Sequence, residues 1–170
     1  MRDYATIVTV MSKIYAFVNQ KGGVGKTTSV VNIGAYLADA GQKVLIIDLD
    51  SQANATSCIG FDKYAVESSV YEVMLGNHTP QDAILAHETI ENLSLMPSKP
   101  ALAGAEAELV NAMNREYRLQ RALTQINDQF DYILIDCPPS LGLLTVNALT
   151  TAKDGVIIPI QTEYLSLIHI

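Results

Sequence analysis

The sequence contains no tryptophan, only two cysteines and no long apolar run. Cys58 and Cys137 are far apart and lack metal-ligand spacing, so we expect reduced thiols in a cytosolic core, without a disulfide or a metal cluster. No apolar stretch approaches the roughly 18 residues that a membrane-spanning helix requires. We therefore expect a cytoplasmic protein that does not associate with a membrane.

Basic residues are also scarce. Eleven lysines and arginines stand against 18 acidic residues, which gives a net charge of -7. This balance disfavours a general attraction to nucleic acid or to an anionic membrane, although a local basic patch remains compatible with it. The 170 residues are 49% hydrophobic and 17% charged, which is typical of one globular domain.

Aliphatic segments recur along the chain and predict buried strands. They lie at 13–19, 43–50, 92–97 and 132–139, with a fifth at 155–160. Three of them are nearly continuous rather than alternating, as expected when helices cover both faces of a parallel sheet. Helical patterns separate the strands. The sequence therefore predicts an α/β fold with a doubly wound, mainly parallel sheet and helices on both faces.

Two helical segments have testable details. The pattern over 26–41 predicts a helix that ends at Gly41 and buries one face. The residues expected on that face are Val30, Ile33, Leu37 and Ala40. The segment 101–126 predicts a pair of core-facing amphipathic helices, with Arg115, Arg118 and Arg121 on a solvated face. The residues expected on its apolar face are Leu102, Leu109, Met113, Tyr117, Leu123 and Ile126.

A glycine-rich stretch, "NQKGGVGKTTS" at 19–29, follows the first strand and opens the first helix. This is the context of a P-loop, whose backbone amides and lysine surround phosphates. The residues predicted to bind ATP are Gly22, Gly23, Val24, Gly25, Lys26, Thr27 and Thr28. The loop departs from the usual pattern because Gln20 replaces its first glycine and because a second lysine, Lys21, precedes the glycines.

Three aspartates follow predicted strands. Asp48 and Asp50 are two residues apart, so we expect both to point to the same side of an extended chain. Asp136 ends the strand "YILID", as the acidic residue of a Mg²⁺-nucleotide site does in P-loop NTPases. Together with the Thr27 hydroxyl, these carboxylates predict a site for Mg²⁺ and ATP.

Three motifs carry a resemblance to a known family. The motifs "KGGVGKTT" (21–28), "VLIIDLDSQANAT" (44–56) and "YILIDCPPSLGLLTVNAL" (132–149) occur in the order found in the ParA/Soj family of chromosome and plasmid partitioning ATPases. The chain resembles these proteins from about Lys13 to Leu165. Membrane-bound MinD-type ATPases share the variant loop but differ in the second motif. Relatives of the nitrogenase iron protein place their cysteines elsewhere.

The resemblance implies an ATPase that forms a nucleotide-sandwich homodimer. It assigns Lys21 to the ATP phosphates of the partner subunit and Asp50 to the attacking water. It assigns Thr27, Asp48 and Asp136 to the Mg²⁺ site. A cation supplied by the other subunit resembles an arginine finger, so hydrolysis would depend on dimerisation.

The resemblance also implies partners. A ParB-type protein is expected to stimulate hydrolysis, and the ATP-bound full-length dimer is expected to bind DNA non-specifically and to associate with the nucleoid. The segment 137–142 corresponds to a switch loop. A non-hydrolysing nucleotide switch or a transcription or sporulation regulator is the alternative, and retention of Asp50 favours hydrolysis.

The resemblance predicts domain boundaries as well. We expect residues 1–10 to be a non-native extension, 11–165 to be a C-terminally truncated ATPase domain, and 166–170 to be an artefactual tail. The final "LSLIHI" matches the translation of a common sequencing-library transposon end. Mass spectrometry of the native protein and resequencing of the gene would test these expectations. A truncated chain is expected to be poorly soluble, to bind ATP weakly and not to bind DNA.

Overall fold

The computed structural model describes residues 11–161. Its strands are β1 (Lys13–Phe17), β2 (Val44–Asp48), β3 (Leu85–Ala86), β4 (Leu93–Met96), β5 (Tyr132–Asp136) and β6 (Gly155–Ile157). Its α-helices are α1 (Lys26–Asp39), α2 (Asn54–Cys58), α3 (Val70–Leu75), α4 (Pro80–Ala83), α5 (Ala105–Glu108), α6 (Arg118–Leu123) and α7 (Leu143–Thr151). Two 3-10 helices span Pro100–Gly104 and Arg115–Tyr117. The predicted extension at 1–10, the tail at 166–170 and the end of the predicted domain lie outside the described residues.

The strands form one sheet in the order β3-β4-β2-β5-β1-β6. All neighbouring pairs are parallel except β3 and β4, which are antiparallel. The predicted α/β class and mainly parallel sheet are thus confirmed, and all five predicted strands are present. Strand β3 was not predicted, because two residues are too few to give a periodic pattern.

Successive residues of the central strands enter two different hydrophobic clusters. In β2, Leu45 and Ile47 belong to one cluster, whereas Val44 and Ile46 belong to the other. All five β2 residues are buried. Because side chains alternate across a sheet, a strand covered on both faces must be apolar throughout. This explains the continuous aliphatic runs of the sequence.

Helix α1 buries a face that matches the predicted one only in part: Val30 is buried as predicted, and Leu37 packs half-buried against the core. The buried residues are Lys26, Val30, Gly34 and Ala38. Ile33 and Ala40 are exposed. A Cβ at Gly34 would lie 2.6 Å from Cδ1 of Ile46, so the helix meets the sheet through a glycine that a hydrophobic pattern does not count. The predicted end is confirmed, because Gly41 takes the left-handed conformation (φ 83°) just after the helix.

The segment 101–126 does not form the expected pair of amphipathic helices. It consists of two 3-10 helices and two short α-helices joined by turns. Met113 is 83% exposed and Tyr117 is also exposed, although both were expected to face the core. Arg121 is exposed as predicted, but Arg115 and Arg118 are half-buried.

Strand β6 forms the edge of the sheet beside β1. Apolar side chains of this strand and of the residues after it are exposed: Val156, Ile157, Ile158 and Ile160. Within residues 11–161, no helix is both long enough and apolar enough to cross a membrane.

Candidate functional site

The carboxyl ends of three adjacent strands meet at one place in the sheet. Strand β5 lies between β1 and β2, and Asp136 pairs in register with Phe17 on one side and with Asp48 on the other. The loop at 18–25 leaves β1 at this point and leads into α1. Open α/β sheets bind ligands at the carboxyl ends of their strands, where neighbouring strands connect to helices on opposite faces.

The loop has the backbone of a phosphate cradle. Gly23 and Gly25 adopt positive φ angles of 73° and 85°, which side chains with a Cβ rarely take. Gly25 is the N-cap of α1, and no side chain caps that end. The first amides of the 14-residue helix are therefore available to an anion, which the helix dipole also favours.

The two lysines of the loop have different environments. Lys26 is buried, and its Nζ donates to the carbonyl oxygen of Lys21 at 3.3 Å. The side chain of Lys21 is exposed. Its amide donates to Oδ1 of Asn19 at 2.9 Å, while Nδ2 of Asn19 donates to the carbonyl of Pro159 at 2.8 Å. Asn19 therefore fixes the start of the loop, a contact that the sequence did not reveal.

Thr27 and Asp136 are in direct contact. The Thr27 hydroxyl donates to Oδ2 of Asp136 at 2.6 Å. The other carboxylate oxygen, Oδ1, is buried and has no hydrogen-bond partner within the described chain. Burial raises the pKa of Asp136 to about 7, and the charges of Asp48 and Asp50 add to the rise. The hydrogen bond from Thr27 and the charge of Lys26 oppose it.

Asp48 and Asp50, which the spacing predicts on the same side of the chain, have different environments. Asp48 is fully buried, and its Oδ2 accepts from the amide and hydroxyl of Thr56, both at 2.8 Å. Its Oδ1 accepts from the amide of Asp50 at 3.1 Å. Burial raises the pKa of Asp48 to about 6. Asp50 is half-buried.

A cavity of about 470 Å³ lies over the loop. Its lining residues are Gly22, Gly23, Gly25, Lys26, Thr27, Thr28, Asp50, Gln52, Asn54, Cys58 and Pro139. Six of the seven residues predicted to bind ATP thus border one cavity, and Asp50 lies opposite them. Val24 is buried and is not among the lining residues, and neither are Lys21, Asp48 and the buried Asp136.

The sequence did not identify three lining residues as part of the site. Cys58 was expected in the core but is exposed at the cavity, whereas Cys137 is buried as expected. Gln52 and Asn54 lie two and four residues after Asp50, and nothing in their spacing marks them. Pro139 belongs to the segment 137–142, which the resemblance predicts to be a switch loop.

The donor set fits a magnesium ion. Mg²⁺ is usually held by one or two carboxylates together with hydroxyls, waters and substrate phosphates. The hydroxyl of Thr27 and the unpartnered Oδ1 of Asp136 supply such oxygens beside the phosphate loop. Among residues 11–161, no three His, Cys, Asp or Glu side chains come close enough to hold a metal by themselves. A metal here would take its further ligands from water or from a bound phosphate.

Comparisons with known proteins agree with this geometry. A family model described as an AAA domain matches residues 12–169. The sporulation initiation inhibitor protein Soj of Bacillus subtilis is 55% identical over 157 residues, which are 92% of this chain and 61% of Soj. The chromosome partitioning protein ParA of Myxococcus xanthus is 46% identical over 98% of this chain and 56% of its own length.

A solved structure shows the same fold. The structure described as cobyrinic acid a,c-diamide synthase from Mycobacterium smegmatis, with bound ATP analogue and magnesium, has a TM-score of 0.86 and 46% sequence identity. The match covers 91% of this chain and 62% of that protein. The chain therefore spans roughly three-fifths of the length of the proteins it matches.

Proposed function

The chain belongs to the AAA domain family and, within it, to the ParA/Soj partition proteins, and we propose that it acts as a Mg²⁺-dependent ATPase in DNA partitioning. Nucleotide hydrolysis at a P-loop is the general activity of such a family. The finer proposal is an ATP-sandwich homodimer that separates chromosomes or plasmids together with a ParB-type partner.

One observation carries the proposal. The Thr27 hydroxyl and the Asp136 carboxylate are joined at 2.6 Å beside the phosphate loop, and Oδ1 of Asp136 is buried without a partner. A buried carboxylate oxygen without a donor is costly unless a cation or a proton joins it. The pair supports a role in binding Mg²⁺, which would neutralise charge on the β- and γ-phosphates when bound.

The other residues receive roles that follow from their positions. Lys26 and the amides at the start of α1 would bind the phosphates of the same subunit. Asp50 lines the cavity and would orient the attacking water. Asp48, whose oxygens already accept three hydrogen bonds, would support the metal site by holding Asp50 and Thr56 in place.

Lys21 is the residue that connects the site to dimerisation. Its side chain is exposed outside the cavity, while Lys26 already occupies the lysine position of the loop. We propose that Lys21 reaches the ATP of a second subunit, so that hydrolysis requires a dimer. A cytoplasmic location, with non-specific DNA binding by the ATP-bound full-length protein, belongs to the same proposal.

ATP turnover by the full-length protein tests the proposal. We expect Mg²⁺-dependent turnover that rises with DNA and a ParB-type partner. Asp50→Ala should abolish turnover but preserve ATP-dependent dimers. Lys21→Ala should lose turnover or ATP-dependent dimerisation, whereas it should retain ATP binding. Asp62→Ala and Lys43→Ala, which remove charges outside the cavity lining, are the matched controls. Equal turnover in Asp50→Ala and Asp62→Ala would contradict the assignment.

The name of the Bacillus subtilis relative supports a second candidate, a regulator that binds nucleotide without hydrolysing it. Such a protein would show ATP-dependent dimers but no turnover above that of Asp50→Ala. The name of the Mycobacterium smegmatis structure denotes amide synthesis, which would also use the cavity for ATP. Turnover without any amide-forming substrate separates partitioning from that activity.

A further inference from the structure

Helix α7 begins directly after the loop at 137–142. This loop follows Asp136, and its residue Pro139 forms part of the cavity wall. The N-cap of α7 is Gly142, and no side chain of the cap residue satisfies the helix amides. The position of the cavity wall therefore depends on what holds this end of α7.

A carboxylate from a distant part of the sequence holds it. Oε1 of Glu106, in α5, accepts a hydrogen bond from the amide of Leu144 at 3.2 Å. The two residues are 38 positions apart. A negative charge at the N-terminus of a helix is favourable because the free amides and the helix dipole are positive there. Glu106 thus supplies the cap that the residues before α7 do not.

The same contact occupies the space that a side chain at position 142 would take. The backbone angles of Gly142 (φ -82°, ψ -172°) are open to any residue, so a substitution here meets no conformational restriction. A Cβ built on Gly142 would overlap the carboxylate of Glu106, with three of its atoms at 3.0 Å or less. Gly142 leaves space for the Glu106 carboxylate, which takes the place of a capping side chain at the start of α7.

The helix that carries Glu106 is itself anchored. Ala105 and Leu109 are buried on either side of Glu106. Oε1 of Glu108 accepts from the hydroxyl of Tyr71 in α3 at 2.8 Å, so the two acids of α5 contact different helices. Glu106 therefore connects the loop beside the cavity to a fixed part of the core.

We propose that Glu106 is a positioning residue for the nucleotide cavity: it holds the start of α7, and through it the loop at 137–142, in place. The effect on nucleotide rests on the proposed function, whereas the contact itself does not. Glu108 provides a matched control, because it lies on the same short helix but does not contact the loop.

Hydrogen exchange at the Leu144 amide in the full-length protein tests the contact directly. Glu106→Ala should speed exchange at this amide by about tenfold, as expected for loss of one hydrogen bond to a charged group. Glu106→Gln keeps an acceptor and should restore most of the protection. Glu108→Gln should leave this amide unchanged. Similar exchange in Glu106→Ala and Glu108→Gln would overturn the proposal.

A double-mutant cycle provides a second test. Gly142→Ala should lower the unfolding midpoint modestly in the wild-type background, because the exposed Glu106 side chain can move away from the added methyl group but then loses its hydrogen bond to Leu144. The same substitution should cost less in the Glu106→Ala background, because the carboxylate that it would overlap is gone. Additive losses would contradict the steric pairing.

Nucleotide affinity of the full-length protein tests the role of Glu106 at the cavity. Glu106→Ala should weaken Mg-ADP binding by about tenfold, while Glu106→Gln should restore it and Glu108→Gln should leave it unchanged. Unchanged affinity in Glu106→Ala would reject the positioning role. A wild-type protein that binds no nucleotide would instead reject the proposed function, and the exchange and cycle results would remain valid.

Discussion

The two faces of the sheet are covered in different ways. On one face α1 is a single helix of 14 residues, which begins at a glycine of the phosphate loop and ends just before another glycine. On the other face the segment 100–123 consists of four short helices. Its buried leucines belong to the cluster that contains Leu45 and Ile47. The faces bury similar side chains, but only one of them presents a regular pattern in the sequence.

Helix α1 and the segment 100–123 differ in the groups that pair with their backbone amides and carbonyls. In α1 the backbone satisfies itself through the helix, and local residues mark both ends. In the segment 100–123, side chains of α7 supply the missing partners. Oδ1 of Asn147 accepts from the amide of Leu119, and its Nδ2 donates to the carbonyl of Arg115. The hydroxyl of Thr150 donates to the carbonyl of Glu116. An irregular segment is therefore as well satisfied as a helix, provided that its distant partners are present.

Replacing Asn147 should break this arrangement and has the largest expected effect. Asn147→Leu keeps the volume but leaves the amide of Leu119 and the carbonyl of Arg115 without partners. We expect a loss of about 3–5 kcal/mol in the free energy of unfolding, measured with urea. Gln120→Ala removes an exposed contact to the same helix and should cost less than about 0.5 kcal/mol. Equal losses would show that α7 does not hold the segment through Asn147.

The nucleotide face should respond to pH through Asp136. Its pKa is about 7 in the folded protein, well above the ordinary value of 3.8 for an aspartate. The folded state therefore holds the proton more tightly, and stability falls as the pH rises from about 4 to 7. Between pH 5 and 8, in chelator-containing buffer, the wild type should lose about 2–3 kcal/mol relative to Asp136→Asn. Asp62→Asn, at an exposed carboxyl, should follow the wild type.

The opposite outcome would be equally informative. If the wild type and Asp136→Asn change in parallel across this pH range, the carboxylate is already ionised at low pH. Chemical denaturation at several pH values gives both curves.

The sequence predicted the face covered by α1, which neighbouring residues mark, far better than the face covered by the segment 100–123. The strands, the loop at 19–29 and the carboxylate at the end of β5 could be predicted because each depends on neighbouring residues or on strand geometry. The burial of Gly34 could not, because a glycine adds nothing to a hydrophobic pattern. The short helices of 100–123 could not either, since their partners Asn147 and Thr150 lie roughly 30 positions away.

The site itself was predicted unevenly for the same reason. Neighbours in the chain, such as the loop glycines, Lys26 and Thr27, could be predicted to lie close together. The tie between Asp48 and Thr56, and the contact from Glu106 to α7, depend on folding of separate segments. Such contacts leave no trace in a single sequence.

Thr56 allows the hidden contacts of the nucleotide face to be measured. Its hydroxyl donates to Asp48 at 2.8 Å and accepts from the amide of Ser98 at 2.9 Å, so it links three segments. Thr56→Val should lower the free energy of unfolding by about 2 kcal/mol, because a buried amide and a carboxylate each lose a partner. Thr56→Ser keeps the hydroxyl and should cost clearly less. If both variants lose the same amount, the hydrogen bonds of the hydroxyl contribute no more than the packing of the methyl group.

The smallest effect is expected at the capping boxes of α3 and α4. Ser69 is buried, accepts from the amide of Tyr71 and donates to Glu72, which also pairs with Lys99. Thr79 makes the equivalent contact to Asp82 but is exposed. Ser69→Ala should cost about 1 kcal/mol in urea unfolding and Thr79→Ala about half of that, because water replaces a lost hydrogen bond at an exposed cap. Equal costs would show that burial does not strengthen a local cap. The large effect expected at Asn147 would then reflect the number of its bonds rather than their depth.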